Sequence, residues 1–212
     1  MTLPTPQGYY RIDGKNDKID SILRASVGAG VRLIVCYGSE VALAETLSGK
    51  MSSNQGMNFQ AGIGTRLEKI SVPLEKFKKL KAQISEDSKA FVEGLNKQQM
   101  EQTGSKAMSI LRSKTVEMKV GEMVSLGVDN ETEESISFSS LMKLEATAPD
   151  STNKVSTVFV LAQSIIWVRN RVITLTCTTA FSTGPDIESA RKNLKEWKDS
   201  LLLLNRPAPA KP

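Results

Sequence analysis

A chain of 212 residues, 40% hydrophobic and 24% charged, can bury one sizeable core and has the balance of a soluble globule. Its formal charge of +5 is dispersed and aromatics are only 5%, which argues against a basic stripe with stacking platforms for nucleic acid. Histidine is absent, which removes Ser–His and Cys–His nucleophile systems and zinc sites that depend on imidazole.

The opening Leu3-Pro-Thr-Pro-Gln-Gly-Tyr9 is polar and Pro-rich, unlike a signal peptide, and it enters the domain as abruptly as a processed, exported chain would. No apolar run approaches the ~20 residues of a membrane span. Gly8 to Ile12 predicts a short strand, and Lys15 to Val27 a helix with Ile19, Ile22, Leu23 and Ser26 on one side. Gly28-Ala-Gly30 stops that helix. Val31 to Tyr37 is the next strand, on which simple alternation gives Cys36 the same face as Arg32. Glu40 to Leu47 reads as a short helix or irregular crossing, and Ser48 to Gly56 as a polar loop.

Met57 to Val72 alternates loosely as a strand bent at Gly62 and Gly64. Pro73 then opens a helical stretch striped by Leu74, Phe77, Leu80, Ile84, Phe91 and Leu95, which Gly94 and Thr103-Gly104 are expected to limit. Lys76, Lys78, Lys79 and Lys81 cluster on it, flanked by Glu75, Glu86 and Asp87, as a solvated face. Ser105 to Ser113 is ambiguous. Val116 to Val128 and Ser135 to Glu145 form a hairpin joined by the acidic loop Asp129 to Glu134, and Ala148 to Asn153 is a turn.

A second hairpin follows. Val155 to Val168 and Val172 to Thr179 are rich in Val, Ile, Phe and Trp, and Asn170 tolerates the left-handed backbone of a tight turn. A two-residue loop sets Ile166 opposite Ile173, Ala162 opposite Cys177 and Val158 opposite Phe181 on an apolar face. The other face carries Phe159, Leu161, Ile165 and Trp167 beside Thr174, Thr176 and Thr178. Ser182 and Thr183 offer N-cap oxygens, and Pro185 suits a first helical turn. Ile187, Ala190, Leu194, Trp197, Leu201 and Leu204 then form one helical face, with Lys192, Lys195, Glu196, Lys198 and Asp199 away from it.

The fold class is α+β: one domain over 1–205, with about six mainly antiparallel strands flanked by helices as an α/β/α sandwich, and a Pro/Ala tail at 206–212 expected to be disordered. Cys36 and Cys177 lack Cys-x-x-Cys spacing. They read as free strand-borne thiols, or as a disulfide in an oxidising compartment.

No constellation for catalysis, cofactor or metal emerges. Gly28-Ala-Gly30 and Gly62-Ile-Gly64 lack the third glycine or the Lys-Ser/Thr of a phosphate loop. Ser140-Leu-Met-Lys143 matches Ser-x-x-Lys, but on a strand its two ends point to opposite faces. The loop from Asp129 to Glu134 lacks the glycine and bidentate Glu of a calcium loop.

In order of elements the chain resembles the PsbP/Mog1-like α/β/α sandwiches. The likeness rests on Leu3-Pro-Thr-Pro-Gln-Gly-Tyr9, a strand ending in Ile70-Ser-Val-Pro before a helix carrying Phe77, and Lys119-Val-Gly-Glu-Met123. It continues with Trp167-Val-Arg-Asn-Arg-Val-Ile-Thr-Leu-Thr-Cys177 and a closing helix with Trp197. The resemblance implies binding rather than chemistry, because members of that family mostly bind protein partners and many bacterial ones are exported. The expected function is a non-enzymatic binding or accessory protein of the bacterial cell envelope. Its partner is a protein, met by Phe159, Leu161, Trp167, Thr174, Thr176 and Thr178. The alternatives are an enzyme using carboxylates and lysines such as Glu131 or Lys143, and a cytoplasmic chaperone for a secreted protein.

Overall fold

Strands β6 (Lys154–Val168) and β7 (Arg171–Ala180) meet at Arg169-Asn170, whose φ angles of 49° and 61° are both left-handed. Two such residues make a turn whose twist matches that of the strands it joins. The register follows the alternation: Ile166 pairs with Ile173 and Ala162 with Cys177, while Leu161 pairs with Thr178 and Ile165 with Thr174. The Phe181 N–H donates to the Val158 carbonyl at 2.8 Å.

A computed structural model describes residues 1–28, 30–41, 44, 56–87, 90, 92, 97–113, 115–147 and 154–206. Most of the crossing and polar loop expected at 40–56 lies outside them, as do Phe91, Gly94, Leu95, the turn at 148–153 and residues 207–212 of the tail. The remaining elements are β1 (Tyr10–Arg11), α1 (Asp17–Ser26), β2 (Val31–Gly38), β3 (Asn58–Gly64), α2 (Leu74–Glu86), α3 (Lys97–Arg112), β4 (Glu117–Thr132), β5 (Ser135–Thr147) and α4 (Gly184–Asn205). The class is α+β. Seven strands rather than six form one antiparallel sheet in the order β1-β2-β3-β7-β6-β5-β4, with four helices among the described residues. Two meanders, β1 to β3 and β4 to β7, therefore meet where β3 pairs with β7.

Three element boundaries differ from expectation. Strand β3 stops at Gly64, because the chain beyond it is strapped to the β6–β7 turn: Arg171 donates to the carbonyls of Glu68 and Ile70, and the Val72 N–H to that of Asn170. Helix α3 runs straight through Thr103-Gly104. A Cβ at Gly104 would lie 2.9 Å from the Met118 sulfur, so glycine there lets the helix approach β4 closely. The acidic stretch after Val128 is mostly strand, since β4 continues to Thr132 and only Glu133-Glu134 turns.

Two apolar clusters lie on opposite faces of the sheet. On one, Ala190, Leu194, Trp197 and Leu201 of α4 pack with Phe59, Ile166, Ile173 and Cys177. Asp186 accepts the backbone N–H groups of Ser182 and Thr183 at 2.8 Å each, fixing the start of α4. Leu204 is exposed, whereas Lys198, expected on the solvent side, is fully buried. Its ammonium donates to Asn130 at 2.6 Å, so the helix turns this flank toward β4. On the opposite face Phe77 and Ile84 of α2 cluster with Ile136, Phe138, Ile165 and Val172.

A bulge at Ile34 changes the faces of β2. Leu33 pairs with Gly62 but Val35 with Ala61, so Arg32 and Cys36 point to opposite sides despite their spacing. Cys36 then falls in register with Gln60, and Tyr37 with Phe59, which is also opposite Cys177. The two cysteines are buried on opposite faces and are free thiols.

Candidate cleft above the threonine row

The face that carries α2 is left partly open over β3 and β7. Alternation along β7 puts Thr174 and Thr176 there, and pairing extends their rows sideways. Gln60, Thr176, Gln163 and Phe138 form one row across four strands, and Gly62, Thr174, Ile165 and Ile136 the next. Leu80 and Ile84 of α2 wall the space on one side, with Leu67 beside them. Val27, Val31 and Leu33, from the end of α1 and the start of β2, wall it on the other. The cleft so enclosed has a volume of about 420 Å³.

Its chemistry is uniform. The walls are aliphatic, the floor offers two amides and two hydroxyls, and among the described residues none that lines it is ionisable. The nearest thiol, Cys36, lies beside Gln60 in the same row and hydrogen-bonds to it. Burial, then the Asp13 carboxylate, push that thiol up to about 12, which leaves it protonated and unreactive. The cleft can hold an uncharged group and hydrogen-bond it, and among the described residues no acid or base lines it.

The expected partner residues divide. Thr174 and Thr176 line the cleft, whereas Phe159, Leu161, Trp167 and Thr178 do not. Leu161 and Ile165 are buried, and Ile165 packs in the cluster of Phe77 and Ile84. Trp167 is half-buried, its indole N–H donating to the Val72 carbonyl at 2.7 Å. The apolar row is thus largely covered at its Trp167 end. Sequence reasoning passed over Gln60 and Gln163. Gln163 carried a signal, a polar side chain in the middle of an apolar row, but Gln60 joins it only through the pairing of β3 with β7.

A second polar cluster lies under α4. Arg191 meets Asp129 at 2.8 Å and donates to Ser139 at 3.1 Å; Ser139 also donates to Asp129. Ser137 and Ser164, both buried, share a 2.6 Å hydrogen bond. Burial raises the Asp129 carboxyl and outweighs the opposing attraction of Arg191. Burial also lowers the Lys198 ammonium, against the pull of Asp199. These groups satisfy one another and hold α4 to the β4–β5 hairpin.

Glu131 and Lys143 are not brought together. Glu131 is paired with Lys81 at 3.1 Å and accepts from Ser85, while Lys143 is paired with Glu145 at 2.8 Å. Lys78 reaches Glu133 at 2.8 Å, so two of the clustered lysines face the acidic tip of the β4–β5 hairpin. Among the described residues no three His, Cys, Asp or Glu side chains converge as a metal-ion set, and no helix is long and apolar enough to cross a membrane. No protein-family model, curated protein or solved structure matches the chain.

Proposed function

We propose that the protein is a non-enzymatic binding protein of the bacterial cell envelope, and that its cleft receives an apolar element of a protein partner. The observation that carries this reading is a cleft of about 420 Å³ with aliphatic walls, a hydrogen-bonding floor and no ionisable residue among the described ones that line it. Volume and lining are those of a binding site, apolar with a few placed polar groups. An enzyme built on Glu131 and Lys143 finds no support, because Glu131 is paired with Lys81, Lys143 is paired with Glu145, and neither lines the cleft. The packing of α4 against one face of the sheet and α2 against the other supports reading the α+β fold as an α/β/α sandwich of the PsbP/Mog1-like kind. That resemblance supports the envelope location and a protein partner.

Filling the cleft tests the reading. Thr176→Trp places an indole over the floor without touching the core beneath α4. Peptides selected from a displayed library on the native chain are expected to carry apolar anchors and to lose about tenfold or more in affinity for the variant. Equal binding to both proteins, with circular dichroism showing the variant folded, would move recognition away from the cleft.

A further inference from the structure

We infer that the element entering the cleft is an uncharged, extended peptide segment of about three residues, lying across the strands with aliphatic side chains against the walls. The inference rests on the cleft being the binding site and adds the chemistry of what fills it. The first argument is charge. In a chain with 24% charged residues, a lining whose described residues include no ionisable group presents no counter-charge to an acidic or basic side chain. A charge desolvated there would be unpaired, and that penalty exceeds any gain from its alkyl stem.

The second argument is the spread of the floor. Gln60, Thr176 and Gln163 sit on three adjacent strands, so the outer two are separated by two strand spacings, roughly 9–10 Å. One polar head group, such as that of a free amphiphile, would meet one or two of these groups and leave the others bare. An extended backbone turns N–H and C=O groups to the same side at every second residue, ~6.6 Å apart, so about three residues place two such sets over the row. Val31 and Leu33 of β2, beyond Gln60, and Leu80 and Ile84 of α2, on the β6–β5 side, stand at the two ends of this row and take the aliphatic side chains at the ends of such a segment.

Blocked pentapeptides test this by nuclear magnetic resonance, read at the side-chain amides of Gln60 and Gln163. Acetyl-Ser-Val-Leu-Val-Ser-amide is expected to shift both signals saturably. Versions with a central Asp or Lys should bind about tenfold more weakly or worse, and Gln163→Leu should weaken the neutral peptide by a similar factor. Equal affinity for the charged peptides, or an unchanged affinity in Gln163→Leu, would overturn the inference while leaving the cleft as the site. Decanamide shifting these amides where the neutral peptide does not would also overturn it, in favour of a free amphiphile. Failure of all these probes to shift any cleft residue would overturn the inference and the reading beneath it together.

Discussion

Cys36 shows how one residue's surroundings become a property of the whole chain. Its thiol has an ordinary value of 9.0 and is pushed up to about 12 by burial and by Asp13. Between those values the folded chain keeps a proton that the unfolded chain releases. This contribution is therefore complete below pH 9 and is lost as pH rises toward 12, at up to ~1.4 kcal/mol per pH unit. Urea melts at pH ~8 and ~10 should show a smaller alkaline loss in Cys36→Ala than in the native chain, by about 1 kcal/mol. Cys177, also raised by burial, continues to act in the same direction in that variant. Identical losses in the two proteins would show that the Cys36 thiol ionises while folded. Burial of Cys36 could be read from neither composition nor alternation. The bulge at Ile34 reverses its face, and nothing in Val31 to Tyr37 announces an extra residue.

Helix α4 was legible because its apolar positions recur at three and four, and its partner hairpin because β-branched residues alternate around a turn that needs Asn170. Trp197 is buried, its ring edge-on to Phe59 and Tyr37 and its N–H donating to the Pro4 carbonyl at 2.8 Å. Trp197→Ala should cost about 3–5 kcal/mol in a denaturant melt, because the packed core cannot close over so large a void. Lys195 is exposed and paired with Asp199 on the surface, so Lys195→Ala should stay within about 0.5 kcal/mol. Comparable losses would mean that the two faces of α4 are assigned wrongly. The polar flank escaped the same reasoning for a physical reason. Asp129, Asn130 and Glu131 have the composition of a loop, yet each meets a cation from a distant helix: Arg191, Lys198 and Lys81 respectively. With those charges matched, the backbone is free to continue as strand, and Lys198 is buried rather than solvated.

At the scale of the molecule, the sheet's outer edges matter most, since an open strand edge pairs with other chains. The start of the β4 edge is covered by side chains. Glu101, Ser105 and Ser109, one helical turn apart along α3, accept the N–H groups of Val120, Met118 and Val116 at 2.9, 2.8 and 2.9 Å. The spacings agree: four helical residues rise ~6 Å and two strand residues ~6.6 Å. Ser105→Ala with Ser109→Ala should therefore cost about 1–3 kcal/mol and raise self-association in sedimentation measurements. A double variant with the native chain's association state and stability would show that the edge needs no such cover. The α+β class and most strands were legible in the sequence. The order of the strands, and with it the cleft, was not, because no local pattern tells β3 that its neighbour is β7. That junction also sets a timetable. Along a chain made from its N-terminus, the first meander is complete early, while the strand that joins it to the second comes after all the others. Until then one side of β3 has nothing to pair with, and Phe59 has no Cys177 to face. The pairing of β3 with β7 joins strands far apart in the chain, and its loop-closure entropy must be met before the contacts reward it. Through that wait β3 is a newborn edge, the one interval when its unpaired backbone is offered to whatever lies nearby.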